Sequence, residues 1–169
     1  MELPQGNILY GFKPVAGPDA RILILGSMPG AASLEATQYY AFPRNAFWKI
    51  MGDLYKAGPQ LDYRSRLQVL VQNQVALWDV IASCRRPGSL DSAISQDDMK
   101  TNDFNSFFIQ YPDITHVYFN GQKAAGLFKQ KVLPSLAGHF NYTTLPSTSP
   151  AHAAKCYAAK LESWSVIRN

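Results

Sequence analysis

Apolar residues in this chain alternate between short continuous runs and helical stripes. Residues 21–25, Arg-Ile-Leu-Ile-Leu, are apolar on both faces and stop at Gly26, the pattern of a strand buried inside a parallel sheet. From 45 to 55 the period changes, and Phe47, Ile50, Met51 and Leu54 fall on one helical face before Gly58-Pro59 breaks it. Asp62 reads as the N-cap of a second helix through Val71, with Leu67, Leu70 and Val71 on one side. A second strand is predicted at 75–78, a third at 115–119 ending at Asn120-Gly121, and a fourth at 142–145 ending at Pro146-Ser147-Thr148-Ser149-Pro150. Helices are expected after Asn102 or Asp103 through Ile109, from Gln122 to about Val132, and from about Ala151 to Ile167.

Strands therefore alternate with helices, and each strand ends in a turn built of Gly, Pro, Ser, Asp or Asn. That pattern predicts an α/β fold: three layers, with a central four-stranded parallel sheet flanked by helices. All four carboxyl ends should face one cleft, where open α/β sheets place their ligands. Residues 1–20 read as an irregular lead-in with a short extended piece at 8–12, and 85–102 as a long ordered loop. At 169 residues, one domain spanning 1–169 is expected.

Composition narrows the field. The chain is 47% hydrophobic and only 17% charged, which supplies a core and argues against disorder. A formal charge of +4 fits a polyanionic partner without requiring one. Two cysteines, Cys84 and Cys156, are too few for a four-cysteine cluster and read as buried free thiols. No basic-then-apolar leader and no membrane-length apolar run occurs, so a cytoplasmic protein with no membrane partner is expected. There is no G-x-G-x-x-G after a strand, no P-loop, no G-x-S-x-G and no H-E-x-x-H.

The candidate chemistry lies at the strand ends. Gly26–Gly30 can be a bare turn or a place where backbone amides meet a ligand. Tyr39 and Tyr40 can be core, or a platform for a planar ligand. Asn45 can be a helix cap, Asp79 can cap the next turn, and Ser147, Thr148 and Ser149 can form an ordinary hydroxyl-rich turn. His152 follows the fourth strand and can reach the cleft, while His116 reads as structural. Their joint placement at strand ends favours a site.

Taken in order, these segments resemble the uracil-DNA glycosylase superfamily, most closely its hypoxanthine-DNA (deoxyinosine) branch, with the mismatch-specific uracil/thymine glycosylases nearby. Gly26-Ser27-Met28-Pro29-Gly30 is similar to the superfamily's first motif, which holds the catalytic water. Tyr39-Tyr40-Ala41-Phe42-Pro43-Arg44-Asn45-Ala46-Phe47-Trp48 is similar to the aromatic, Pro-x-Asn-x-Phe-Trp segment. Leu77-Trp78-Asp79-Val80, with Cys84-Arg85-Arg86-Pro87-Gly88-Ser89-Leu90-Asp91, resembles the base-recognition strand end and its loop. Asn120-Gly121-Gln122-Lys123-Ala124 resembles the third strand end, and Leu145–Ala151 the DNA-inserting loop.

The resemblance implies a monofunctional glycosylase of base excision repair, acting as a monomer on duplex DNA, with no metal or cofactor. It hydrolyses the N-glycosidic bond of a flipped, deaminated base: hypoxanthine first, uracil or a mismatched pyrimidine as the alternative. A nucleic-acid-binding member without cleavage is the alternative of another class. Asn45 is implied as the catalytic residue, and Gly26, Ser27, Met28, Pro29, Tyr40, Asp79 and Asn120 as the base pocket. Arg85, Lys123, Ser147, Thr148, Ser149 and His152 are implied as DNA contacts, the 148–152 segment entering the minor groove. Tyr40 stands where the superfamily stacks an aromatic on the base. Three positions depart from the pattern. Met28 and Leu145 replace polar residues that orient water and stabilise the leaving base, and Phe42 stands where the branch often has histidine. No lysine accompanies the first motif or Asn45, so Schiff-base lyase chemistry is not implied.

Overall fold

The Ile-Leu-Ile-Leu run forms the central strand of the molecule. The computed structural model describes residues 7–87 and 93–169; the first six residues of the lead-in and Gly88, Ser89, Leu90 and Asp91, named above, lie outside the described residues. The elements are β1 (Ile8–Tyr10), β2 (Ile22–Gly26), α1 (Ala31–Ala36), α2 (Phe47–Tyr55), α3 (Tyr63–Gln72), β3 (Val75–Asp79), β4 (Ile81–Arg85), β5 (Lys100–Thr101), α4 (Phe104–Gln110), β6 (His116–Asn120), α5 (Gln122–Leu127), β7 (Asn141–Leu145) and α6 (Tyr157–Trp164). Strands β3, β2, β6 and β7 lie side by side in that order, all parallel.

The alternation of side chains along a strand divides the core in two. Leu23 and Leu25 point to the face covered by α4, α5 and the π-helical turn Phe128–Val132, with Phe104, Phe107, Phe108 and Phe128. Ile24 points to the other face, onto Phe47, Ile50 and Met51 of α2, Leu70 of α3 and Trp164 of α6. All three β2 side chains have no solvent exposure, and each such burial is worth about 1.5–3 kcal/mol. A strand without a polar face can only be central, which is where β2 sits.

Helix α3 starts as its sequence predicts, with the Asp62 carboxylate accepting from the Ser65 N–H at 2.8 Å. Asp103 caps α4 in the same way. Four features differ from the sequence reading. A second, antiparallel sheet runs in the order β1-β4-β5: the extended piece expected at 8–12 is its strand β1, while β4 and β5 were not expected. Its members mix polar and apolar residues, and two of them are only two or three residues long, which leaves no periodicity to detect. Helix α1 is six residues of mostly small side chains and carries no apolar stripe. The last helix begins at Tyr157 rather than Ala151. The stretch before it, Ala151-His152-Ala153-Ala154, favours helix by propensity, but the Ser149 hydroxyl and carbonyl take the Ala151 and His152 amides at 3.2 and 3.0 Å and turn the chain. Cys84 and Cys156 are free thiols, and Cys156 is exposed rather than buried.

The loop after β7 is fastened at three points. Both ends of the Asn120 side-chain amide hold Thr148: Nδ2 donates to Oγ1, and Oδ1 accepts from the Thr148 N–H, each at 2.9 Å. The Thr148 carbonyl accepts from the Ala46 N–H at the start of α2, at 3.0 Å. Trp164 Nε1 donates to the Pro146 carbonyl at 2.9 Å. Gly121, with φ at +95°, makes room, because a Cβ there would stand 3.1 Å from that of Ser147. An Asn120→Ala substitution leaves the buried Thr148 amide and hydroxyl without partners. It should cost about 2 kcal/mol in a urea melt, with an unchanged slope showing that the loss is in the folded state.

Candidate active site

The order β3-β2-β6-β7 places a topological switch between β2 and β6: the chain leaves β2 for β3 on one side and returns to β6 on the other. Ligands in open α/β sheets bind at the carboxyl ends of such strands. A cavity of about 550 Å³ opens there. Its walls are the 26–33 segment, the 39–45 segment, Asp79, Asn120 and the 147–152 loop. Gly26, Ser27, Met28, Pro29, Tyr40, Asn45, Asp79, Asn120, Ser147, Thr148, Ser149 and His152 all line it.

Its floor is set by a missing side chain. A Cβ on Gly26 would lie 2.5 Å from Asp79 Oδ1 and 3.1 Å from the Tyr40 hydroxyl. Glycine lets a carboxylate and a phenol converge on one point at the end of β2. Asp79 pairs in register with Gly26, is only 4% exposed, and its backbone carbonyl accepts from Asn102 Nδ2 at 2.7 Å. Tyr40 stacks on Phe47, with ring centroids 4.0 Å apart. Its backbone is left-handed, φ +55°, which costs a residue with a Cβ roughly 1–2 kcal/mol.

That conformation is imposed by Tyr39. Its N–H donates to the Tyr63 hydroxyl at 3.0 Å, its hydroxyl donates to the Lys13 carbonyl at 2.9 Å, and its carbonyl accepts from Trp48 Nε1 at 2.8 Å. Burial first, then the Asp79 carboxylate and the neighbouring tyrosines, push the Tyr39 phenol well above its ordinary pKa, so it stays protonated and keeps donating.

Asn45 sits on the cavity wall with its orientation fixed. Its Oδ1 accepts from the Phe47 N–H at 2.9 Å, and its own N–H donates to the Phe42 carbonyl at 2.9 Å. The residue at the helix N-cap position is Ala46, which has no side-chain cap bond; Asn45 serves the helix from one position earlier. With one lone pair of Oδ1 occupied, the amide presents Nδ2 as a donor and keeps a second acceptor lone pair. Met28 and Leu145 are packed into the two core clusters, at 6% and 4% exposure.

The sequence-predicted DNA contacts divide. Ser147, Ser149 and His152 are at the cavity mouth, partly exposed. Thr148 is not at the surface: it is 1% exposed and braced by Asn120, so the part of the 148–152 segment that can meet a groove begins after it. Asn120 lines the cavity, yet its amide is committed to that brace. Arg85 does not line the cavity; it lies on β4 with Nε 3.0 Å from Asp98 Oδ2. Lys123, on the first turn of α5, does not line it either. Arg86, from the segment that resembles the base-recognition loop, is buried and donates from Nη2 to the Pro29 carbonyl at 2.7 Å, holding the 26–30 turn from behind. Ser33, Tyr39 and Phe42 also line the cavity. Tyr39 carried a sequence signal as half of the aromatic pair and Phe42 as a departure from the expected histidine; Ser33 carried none. Among the described residues no group of acidic, histidine or cysteine side chains could hold a metal ion, and no helix is long and apolar enough to cross a membrane.

Known proteins share this arrangement. Residues 14–168 match the model of the "Uracil DNA glycosylase superfamily". A hypoxanthine DNA glycosylase of Methanosarcina barkeri is 37% identical over 115 residues, 68% of this chain and 72% of that one. Its namesake from Methanosarcina acetivorans is 36% identical over 140 residues, 78% and 87% of the two chains. A solution NMR structure from Methanosarcina acetivorans, provisionally described as a uracil DNA glycosylase, superposes with a TM-score of 0.79 at 32% identity, covering 96% of this chain and 98% of the other. With the parallel sheet, the strand-end cavity and the match across almost the whole length, the chain belongs to the uracil DNA glycosylase superfamily.

Proposed function

We propose that this protein is a monofunctional DNA glycosylase that removes hypoxanthine from deoxyinosine in duplex DNA. The observation that carries the reading is the convergence of the Asp79 carboxylate and the Tyr40 hydroxyl at Gly26, in a cavity large enough to admit a flipped nucleobase. An ionised carboxylate only accepts hydrogen bonds. Hypoxanthine offers it N1–H, beside the C6 carbonyl. Adenine offers a bare N1, whose lone pair would face the carboxylate. Deamination thus turns a repulsive edge into a paired one, and the pocket selects the damaged base by that change. Uracil, xanthine and a mismatched thymine carry the same N–H next to a carbonyl, so the contact separates hypoxanthine from adenine and leaves these bases as the alternative substrates. The names of the Methanosarcina relatives support the same preference.

In this reading the base leaves the stack and enters the cavity. The C1′–N9 bond breaks with its electron pair going to the base, and water adds to C1′ of the oxocarbenium-like sugar. The water's proton is released and the base is reprotonated, giving free hypoxanthine and an abasic site. Neutral water suffices for that attack, so the protein's task is orientation and electrostatics. Asn45 is the residue assigned to it, its amide plane fixed by Phe47 and its Nδ2 left to donate. With apolar Met28 and Leu145 in place of the superfamily's polar groups, Asn45 carries a larger share.

The test is a panel of labelled duplexes bearing inosine, uracil, xanthine or a G·T pair, scored for alkali-labile sites. Cleavage of none, with lesion-duplex binding intact, would establish the non-cleaving alternative that Met28 and Leu145 favour. Asn45→Asp keeps the bond to the Phe47 N–H but replaces the amide donor. It should lower single-turnover excision of inosine by about 10²-fold, with thermal stability and duplex affinity retained.

Asp79→Asn turns an acceptor-only group into one that can also donate to a bare N1. Measured against inosine and undamaged adenine in the same duplex context, it should lose inosine excision and narrow the ratio between the two. Tyr40→Phe keeps the ring on Phe47 and removes only the hydroxyl, so its effect should fall on base preference more than on affinity for an abasic duplex.

A further inference from the structure

An enzyme that flips a base out of a duplex leaves a gap in the stack, and proteins that wedge base steps apart frequently do so with an apolar side chain. The 147–152 loop, the segment expected to do this, has little to offer. Thr148 is buried, and the Ser147 and Ser149 hydroxyls accept from the Ser149 and Ala151 amides at 3.2 Å. Besides these two partly exposed serines, the loop turns Pro150, Ala151 and His152 toward solvent, and none of them is a large apolar side chain.

The 39–45 segment is different. Phe42 lines the cavity and is 44% exposed, the only large apolar side chain among the described residues to combine the two. The chain has nine phenylalanines. Every other one takes part in an aromatic ring contact, and Phe42 in none among the described residues. Its perch is rigid: the Phe42 carbonyl accepts from the Asn45 N–H at 2.9 Å, closing a turn with Pro43 at the position proline favours. The same four residues thus present an unpartnered aromatic ring, the exposed guanidinium-bearing Arg44, and the Asn45 amide inside the cavity.

We infer that Phe42 is the wedge: it inserts into the base stack where the extruded nucleotide stood, with Arg44 beside it against the phosphate backbone. This rests on the glycosylase reading and adds the element that holds the duplex open. The turn couples insertion to chemistry, since the residue that enters the stack and the residue that addresses the glycosidic bond share one hydrogen-bonded ring.

The experiment compares wild type, Phe42→Ala, Phe42→Trp and Ile109→Ala, an 80%-exposed apolar residue away from the cavity. Each is assayed for single-turnover excision of inosine from duplex and from single-stranded DNA, affinity for a tetrahydrofuran abasic duplex, and fluorescence of 2-aminopurine beside the lesion. Phe42→Ala should lose on the order of tenfold or more in duplex excision and abasic-duplex affinity, and lose the 2-aminopurine response. It should excise from single strands as wild type does, because no stack needs to be held open there. Phe42→Trp should restore the duplex values, and Ile109→Ala should not differ from wild type. Equal duplex excision by Phe42→Ala and wild type overturns the wedge and leaves the glycosylase reading standing. An equal loss on duplex and single strand also overturns it, placing Phe42 in the base pocket instead. A wild-type protein that excises nothing and binds the abasic duplex no better than intact DNA removes both.

Discussion

The brace on Thr148 is the constraint on which the site's geometry depends. One threonine, buried by a loop that would otherwise be free, ties the end of β6 to the start of α2 through Asn120 and Ala46. Two walls of the cavity come from segments a hundred residues apart, and this is where their separation is set. The interaction is local, but it fixes the distance between the helix that orients Asn45 and the loop that faces the substrate. Trp164 adds a third tether from α6, so that a helix with no wall of its own still positions the mouth.

Against that frame, the floor shows how an absence does chemical work. Gly26 contributes no side chain, and the vacancy admits two polar groups from different parts of the chain. Asp79 arrives by strand register. Tyr40 arrives by a left-handed backbone that Tyr39 enforces with hydrogen bonds on both sides of its peptide and from its phenol. The strain at Tyr40 is held by bonds that themselves have no role in chemistry. The same economy appears behind the 26–30 turn, where the buried Arg86 holds Pro29 from outside the cavity.

Much of this was legible in the sequence because the core is simple. Leu23, Ile24 and Leu25 have nowhere to go but inside, and the strand ends follow from the turn residues after them. The helix caps at Asp62 and Asp103 are local chemistry and were readable as such. Of the small antiparallel sheet only the extended piece that became β1 was legible, because β5 is too short for a period and both edge strands gain their pairing only from β4. Residues 151–156 look helical and are not, because Ser149 captures the amides that a helix would need. In the cleft, the residue types at the strand ends pointed to a site, but whether a side chain faced the cavity or the interior depended on contacts between distant segments. Thr148 and Arg86 are buried by partners far from them in sequence, and Phe42 is exposed because no other ring reaches it. No local pattern encodes either outcome.

The strand order has a consequence for how the protein comes to exist. β2 lies at the centre of the parallel sheet, yet it is made before its neighbours. During synthesis its first partner, β3, is about fifty residues away, and its second, β6, almost a hundred. Until both emerge from the ribosome, the most apolar strand in the chain has unsatisfied backbone edges, the condition under which nascent chains aggregate or recruit chaperones. The cleft itself requires β7 and the braced loop after it. A nascent or truncated chain that stops short of them can hold part of the core but cannot contain the cavity, so the site is assembled last.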